Sequence, residues 1–286
     1  MLDTRLFEFK SHMAENSPSD ISLAQLQRQL DAARAELAQF TYIVSHDLRA
    51  PLRHINAYAL IIAEDWPDMP ADMAAHLDTI RQSAQLLTRQ LEGLTQLSRL
   101  GTQPVNLQSV NVSAMVRELV DALGAPVPTQ AQTHSPAQPP TLTPSQVLWQ
   151  LAADVPPVLA DAALLRQLLA QVLDNALKFS SSRAPAQISL TWQMAPAQAS
   201  ASTGADPGAG APACQITLSD NGVGFAPEQA KALFQVFGRL HPAREFEGLG
   251  LGLVQCRKIA ERMGCAIAIA AEVNVGCRVT ITLPLT

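Results

Sequence analysis

Aromatic residues are scarce in this sequence, and long apolar runs and clustered basic residues are missing. Aromatics make up 5% of the 286 residues, whereas 48% are hydrophobic, a share that excludes wholesale disorder. No stretch approaches the about 18 uninterrupted apolar residues of a membrane-spanning helix. The net charge is −5, and neither a basic face nor a polybasic run is present. We therefore expect no nucleic-acid partner and no membrane span.

Cysteines are also few, and the N-terminal sequence has no pattern of its own. The four cysteines are Cys214, Cys256, Cys265 and Cys277. They form no CxxC pair and match no zinc-site spacing, so we predict small buried side chains in a reduced, cytoplasmic protein. Acidic residues stand where a secretory signal would be basic. Ser-His-Met at 11–13 resembles a cloning junction, and the tail at 1–20 is set aside for that reason.

A heptad pattern begins at Leu23. Its apolar residues, alternately three and four positions apart, are Leu23, Leu26, Leu30, Ala33, Leu37, Phe40 and Val44, which is the spacing of a coiled-coil seam. A lone amphipathic helix packed on its own domain is the alternative, but such a helix usually has a wider apolar stripe. We predict a coiled-coil signalling helix at 21–44 that pairs in parallel with a second copy.

This helix is predicted to continue to about Asp65, where two prolines at 66–70 break it. A second helix from about Ala71 carries the same spacing as far as Ser98, and glycine and proline end it. Two long helices joined by a short break form an antiparallel hairpin, here at 40–101. Since one hairpin cannot cover both of its faces, we predict a dimeric four-helix bundle.

From Val105 the pattern changes to short strands and amphipathic helices. Period-two alternation predicts strands near 187–194, 215–218, 266–269 and 279–283. Val105, Leu107 and Val110 indicate a further strand near 105–110. Helices are predicted at 162–180, 227–235 and 251–263, and Ser113 is predicted to cap another that runs through Leu123. Residues 124–145 and 196–213 have the composition of solvated loops. The fold class is therefore α+β, with a layer of helices on one mixed sheet at 105–286.

The helix at 40–65 places His46 beside Asp47. With Val44 in the seam, His46 falls on the outer face two residues later. A neutral imidazole can attack through one nitrogen while a neighbouring carboxylate holds the proton on the other. The alternative is an ordinary solvated histidine.

The helix at 162–180 carries Gln171, Asn175 and Lys178 on one side. An amide that can ligate Mg²⁺, with a lysine one turn away, suits a triphosphate. An ordinary amphipathic helix is the alternative interpretation.

A first glycine segment, Asp220–Gly224, directly follows a predicted strand. Gly222 and Gly224 let the backbone approach a ligand closely, and Asp220 can accept a hydrogen bond from an amino group such as that of adenine. A hairpin turn is the alternative, because Asn-Gly is a strong turn signal.

A second glycine segment precedes the predicted helix at 251–263 and contains Gly248, Gly250 and Gly252. Glycines before a helix predict a phosphate cradle of backbone N–H groups. The GxGxG spacing is neither a dinucleotide fingerprint nor a Walker loop.

In this order, the four segments resemble the sensor histidine kinases of two-component systems. The matching segments are HDLRAPL at His46 (phosphoacceptor box), NALKF at 175–179 (asparagine box), Asp220–Gly224 and Gly248–Gly252 (the two glycine boxes), with Phe234 and Phe237 between them. The sequence around His46 resembles that of kinases attached to phytochrome-like or PAS-type sensors. The resemblance covers about residues 23–286.

The resemblance implies a dimerisation and histidine-phosphotransfer hairpin at 40–101 and an ATP-binding α/β sandwich of the Bergerat type at 105–286. It implies that the enzyme phosphorylates its own His46 from ATP, with Asp47 assisting. The phosphoryl group then passes to an aspartate in the receiver domain of a response regulator. A homodimer is expected, with the sensor domain missing or on another chain.

The resemblance also implies roles for the polar residues. Asn175 would hold Mg²⁺, Lys178 would hold a phosphate, and Asp220 would read the adenine amino group. The remaining members of the implied ATP site are Gln171, Gly222, Gly224, Gly248, Gly250 and Gly252, with 238–247 as a mobile lid.

Three residues depart from the family pattern. Gln171 stands where the family often has Asn, and Leu249 replaces a small or hydroxylated residue. Ala50, four residues after His46, stands where many relatives have Thr or Asn. Gln171 and Leu249 keep a catalytically degenerate dimeric adaptor open as an alternative. A gyrase-like ATPase is disfavoured, because it needs a carboxylate where this chain has Gln171.

Overall fold

The computed structural model describes residues 18–123, 147–195, 212–240, 242 and 245–286. The described chain forms two compact units that divide between Gln103 and Pro104. The cloning junction suggested at 11–13, nearly all of the predicted loops at 124–145 and 196–213, and three residues of the predicted lid lie outside the described residues.

The first unit is a helical hairpin. Helix α1 spans Pro18–Asp65 and helix α2 spans Ala71–Thr102, so the proline-containing break falls where it is predicted. Pro51 lies inside α1 without ending it. The two helices pack against each other, and the hairpin buries Leu52, Ala59, Ala84 and Leu100.

Much of the predicted apolar seam is exposed in the single chain. Leu26, Leu37 and Phe40 on α1 are 61%, 65% and 62% exposed, and Ile80 and Leu87 on α2 are 47% and 49% exposed. Large apolar patches on a protein surface usually mark an interaction site. The exposure is compatible with the predicted two-chain bundle, which stays a prediction.

The second unit is an α+β domain, which confirms the predicted fold class. Its elements are β1 (Gln108–Val110), α3 (Val112–Ala122), β2 (Val147–Leu151), β3 (Val158–Ala160), α4 (Ala162–Ser180), β4 (Ala186–Ala195), β5 (Ala213–Asp220), a 3₁₀ helix (Pro227–Phe234), α5 (Gly252–Met263), β6 (Ala266–Glu272) and β7 (Gly276–Pro284).

Five of these strands form one mixed sheet in the order β2-β4-β5-β7-β6. β2 runs parallel to β4, and the other neighbours are antiparallel. β1 and β3 pair separately as a small antiparallel sheet. The sequence patterns do not predict β2 and β3, which are strands of five and three residues.

Helices α4 and α5 pack on each other and on the sheet. The core row of α4 and the facing sheet residues are each at most 1% exposed and include Leu165, Leu168, Leu169, Leu173, Ile188, Leu190, Ile216 and Ile281. Each such side chain contributes about 1.5–3 kcal/mol of hydrophobic stabilisation. This packing holds the polar side of α4 in a fixed orientation.

The predicted cap of α3 is wrong. Asn111, and not Ser113, caps the helix, because its Oδ1 accepts a hydrogen bond from the N–H of Ala114 at 2.9 Å. Ser113 is already inside the helix, where its Oγ accepts from the N–H of Val155 at 3.2 Å and donates to the carbonyl of Ala152. Asparagine and serine are both good caps, and a buried long-range partner for Ser113 decides between them.

Candidate functional site

His46 lies on the exposed surface of α1. Its side chain is 65% exposed, and that of the adjacent Asp47 is 71% exposed. The distance between His46 Nδ1 and Asp47 Oδ1 is 3.1 Å, and the Tyr42 ring stacks on the imidazole from one turn earlier. When the imidazole proton is on Nδ1, the Nδ1–H group donates a hydrogen bond to Asp47. The lone pair of Nε2 is then available for nucleophilic attack.

The polar side of α4 brings Gln171, Asn175 and Lys178 together. Asn175 Oδ1 accepts hydrogen bonds from Lys178 Nζ at 3.2 Å and from Gln171 Nε2 at 3.5 Å. The amide oxygen is therefore surrounded by donors, and it is a hard oxygen atom of the kind that Mg²⁺ prefers.

Lys178 is partly withdrawn from water. Burial lowers the pKa of its ammonium group; Asp174 opposes this shift and Arg239 adds to it. Its Nζ also lies 4.5 Å from the centroid of the Phe179 ring. A charge in such a partly desolvated position interacts more strongly with an anion than a charge in water does.

Asp220 ends strand β5 with its carboxylate held on one side. Oδ1 accepts hydrogen bonds from the backbone N–H of Gly222 at 2.8 Å and of Cys277 at 3.2 Å. Burial raises the pKa of Asp220, and these two hydrogen bonds oppose the rise. Neither bond involves Oδ2, so this oxygen can accept a hydrogen bond from an amino group of a ligand.

The first glycine segment packs directly on α4 and on the β6–β7 turn. A Cβ atom on Gly222 would lie 2.5 Å from the carbonyl oxygen of Phe179, and one on Gly224, where φ is +60°, would lie 2.0 Å from the carbonyl oxygen of Glu272. After Asp220 the chain enters the 3₁₀ helix at Pro227. The alternative of a simple hairpin turn is therefore wrong.

The second glycine segment runs along the polar side of α4. A Cβ atom on Gly248 would lie 3.3 Å from Lys178 Nζ, and one on Gly252, the first residue of α5, would lie 2.6 Å from Gln171 Cδ. Gly250 lies between them with φ of +70°. The structure thus brings both glycine segments against α4. The first backbone N–H groups of α5 have no acceptor within the helix, and such groups are of the kind that bind phosphate.

Several contributors to this site have no sequence signal. Arg239 donates hydrogen bonds to the carbonyl oxygens of Phe246 and Gly248, at 2.7 and 2.6 Å, which holds the chain before the second glycine segment. Arg183 donates to carbonyl groups of the first glycine segment. Such side-chain-to-backbone contacts link positions far apart in sequence, and no spacing pattern predicts them.

The four cysteines are free thiols. Cys214 and Cys256 are buried, as predicted, whereas Cys265 and Cys277 are only partly buried. Burial raises the pKa of Cys256, Cys265 and Cys277 to about 12, so these groups remain protonated at neutral pH.

Within the described part of the chain, every helix is too short or too polar to cross a bilayer.

Two protein families match different parts of the chain. Residues 36–103 match the His Kinase A (phospho-acceptor) domain. Residues 160–286 match the Histidine kinase-, DNA gyrase B-, and HSP90-like ATPase family. Both glycine segments and the polar side of α4 lie in the second match, and His46 lies in the first. The chain combines the two domains of sensor histidine kinases and belongs to that family.

Individual relatives agree with this assignment. Over 92% of this chain, the sequence is 26% identical to cyanobacterial phytochrome A of Nostoc sp.. It is also 26% identical to phytochrome-like protein Cph1 of Synechocystis sp., again over 92% of this chain. It is 25% identical to the adaptive-response sensory kinase SasA of Gloeothece citriformis over 86%. The chain spans 30% and 31% of the two phytochromes and 57% of SasA.

The fold also matches a solved kinase. The crystal structure of full-length ShkA in complex with AMPPNP aligns with a TM-score of 0.52 at 19% identity, over 87% of this chain and 46% of that one. At this level of identity the likeness shows a shared fold.

Proposed function

We propose that this chain is the kinase part of a two-component system, which phosphorylates its own His46 from ATP and passes the phosphoryl group to an aspartate of a response regulator. The observation that carries the proposal is the pairing, on one chain, of an exposed His46–Asp47 couple with a site at which Asp220 and α4 lie against two glycine segments. Both parts are needed for autophosphorylation.

In the proposed reaction, Nε2 of His46 attacks the γ-phosphorus of ATP. A nitrogen–phosphorus bond forms, the bond to the β–γ bridging oxygen breaks, and ADP leaves with that electron pair. Asp47 Oδ1 accepts the hydrogen bond from Nδ1 and so stabilises the positive charge that develops on the ring. Catalysis in such a transfer is mostly positioning and charge neutralisation.

The proposed nucleotide contacts follow from the arrangement of this site. Asp220 Oδ2 accepts a hydrogen bond from the adenine amino group, while Oδ1 stays bonded to the backbone. Lys178 and the N–H groups around Gly248, Gly250 and Gly252 hold the phosphates, since these groups already lie side by side.

The donor set also fits Mg²⁺. Asn175 Oδ1 is a hard oxygen ligand beside Lys178, and it would exchange the two hydrogen bonds that it accepts now for the metal. Gln171 adds a second amide one turn away. Bound Mg²⁺ would neutralise charge on the triphosphate.

The proposed partners are a second copy of the chain and the receiver domain of a response regulator. The exposed apolar residues of α1 and α2 support the first, and the exposed position of His46 leaves room for the second.

The test is incubation with γ-labelled ATP and Mg²⁺, comparing wild type with His46→Gln and with His54→Gln as a matched control on the same helix. We expect acid-labile label on wild type and His54→Gln and none on His46→Gln, because a phosphoramidate hydrolyses in acid. Label that persists in His46→Gln contradicts the assignment. A chain that binds ATP without becoming labelled would be the degenerate adaptor.

A further inference from the structure

Arg183 joins two backbone segments that the fold brings together next to Asp220. This residue follows the end of α4 and is half-buried. Its Nε donates a hydrogen bond to the carbonyl oxygen of Asn221 at 2.9 Å, and its Nη2 donates to those of Gly222 at 3.2 Å and Asn274 at 2.7 Å. Three bonds from one charged, rigid guanidinium make a strong and directional connection.

The two connected segments are those that hold the Asp220 carboxylate. The N–H of Gly222 binds Oδ1 from the segment after β5, and the N–H of Cys277 binds the same atom from the segment after the β6–β7 turn. Asn274 also donates its N–H to the carbonyl of Val223 at 2.7 Å. The relative position of the two segments therefore determines how Asp220 is oriented.

We propose that Arg183 is a positioning residue for recognition of the nucleotide base, because it sets the orientation of Asp220 by tying together the two segments that bind Oδ1. This inference rests on the proposed function, in which Asp220 Oδ2 accepts from the adenine amino group. Asp220 is only partly buried, but a carboxylate withdrawn from water is costly unless its hydrogen bonds are kept. Loosening either segment therefore weakens the bonds that fix the Asp220 carboxylate.

Lysine cannot replace this arginine. Its ammonium is a compact charge at the end of a flexible stem, whereas the guanidinium presents several donors in a fixed plane. Arg183→Lys thus keeps the charge and removes the geometry, and Arg183→Gln removes both. Arg166→Gln is the matched control, since Arg166 forms an exposed ion pair with Glu118 in the same domain and does not contact the Asp220 segments.

The experiment measures the dissociation constants of ATP and GTP for the full chain, by competition with a fluorescent ATP analogue. Guanine has a carbonyl where adenine has its amino group, so only ATP gains from a well-oriented Asp220. We expect the ATP constant of both Arg183 variants to rise about tenfold, the size expected for hydrogen bonds to a charged group. The GTP constant should change little, and Arg166→Gln should match wild type.

A second measurement separates positioning from general stability. Amide exchange at Gly222 and Cys277 should be faster in Arg183→Lys than in wild type, while exchange in the core of α4 stays slow. Variants that melt at a lower temperature but keep the ATP-to-GTP ratio of wild type would overturn the inference, since stability alone would then explain Arg183. A wild type that binds neither nucleotide contradicts the proposed function itself. Should Arg183→Gln fail to fold, Arg183→Lys carries the comparison.

Discussion

His46 Nδ1 and Asp47 Oδ1 lie 3.1 Å apart on the exposed surface of α1. Asp47→Asn should therefore slow autophosphorylation without removing the acceptor, because an amide does not stabilise the developing charge on the imidazole. We expect a rate about a hundredfold lower, the low end for a positioned acid–base group. The measurement is the initial rate of acid-labile labelling at saturating ATP. A rate equal to that of wild type would show that Asp47 is only a neighbour.

Asn175 Oδ1 is the proposed Mg²⁺ ligand. Removing it should therefore weaken ATP binding only when Mg²⁺ is present. We expect Asn175→Ala to weaken ATP binding about tenfold to a hundredfold in Mg²⁺, the range for a bond to a charged group. The same titration in a chelator is the control, and there the variant and wild type should agree. An equal loss in both conditions would point to damage of α4 instead.

The ionised carboxylate of Asp220 should destabilise the folded domain, because burial raises the pKa of this group in the folded state. The folded state then binds this proton more readily than the unfolded chain, so stability falls as pH rises through the window between the two pKa values. Asp220→Asn keeps an acceptor for Gly222 and Cys277 without the partly buried charge. We expect a higher melting temperature than wild type at neutral pH, a difference that shrinks in acid, and a loss of ATP affinity. A lower melting temperature at neutral pH contradicts this.

Regular periodicity made part of this structure predictable from sequence. The amphipathic pattern of α4 defines that helix over 162–180, the bounds that the structure has, because a long helix repeats its apolar face many times. The break after Asp65 follows equally directly from proline chemistry.

Long-range contacts made the rest unpredictable. The N–H of Cys277 on Asp220 and the carbonyl oxygens that Arg183 binds are backbone groups, which no residue type identifies. Asn111 caps α3 in place of Ser113 because Ser113 finds partners some forty residues away in sequence, at Ala152 and Val155. The glycine segments were visible as spacings, but their common contact with α4 depends on the packing of the whole domain.

Leu87 tests the proposed dimer. It is 49% exposed in the single chain and lines an apolar groove between α1 and α2 with Leu52, Ile55 and Ile80. If a second copy covers this groove, Leu87→Asp buries an unpaired charge at a cost of several kcal/mol, and light scattering should show monomer. Gln85→Asp, on an exposed position two residues away, should remain dimeric. A wild type that is monomeric at micromolar concentration would rule out the dimer.

We predict that Ala50 makes this chain a weak phosphatase toward a phosphorylated response regulator. It lies one helical turn after His46, on the same side of α1, and is half-buried. The resemblance places Thr or Asn here in many relatives, where a polar group can orient a water against the acyl phosphate; alanine has no donor or acceptor to do so. We expect weak phosphatase activity, and Ala50→Thr should raise it by up to about a hundredfold, the size of a positioning effect.

The measurement is the decay of a phosphorylated regulator with ADP, with and without this protein, using Ala57→Thr as an exposed control on the same helix. Strong phosphatase activity in wild type that Ala50→Thr does not increase would contradict the argument from the missing polar group and favour the alternative that another side chain, such as Arg49 or Arg53, takes its place.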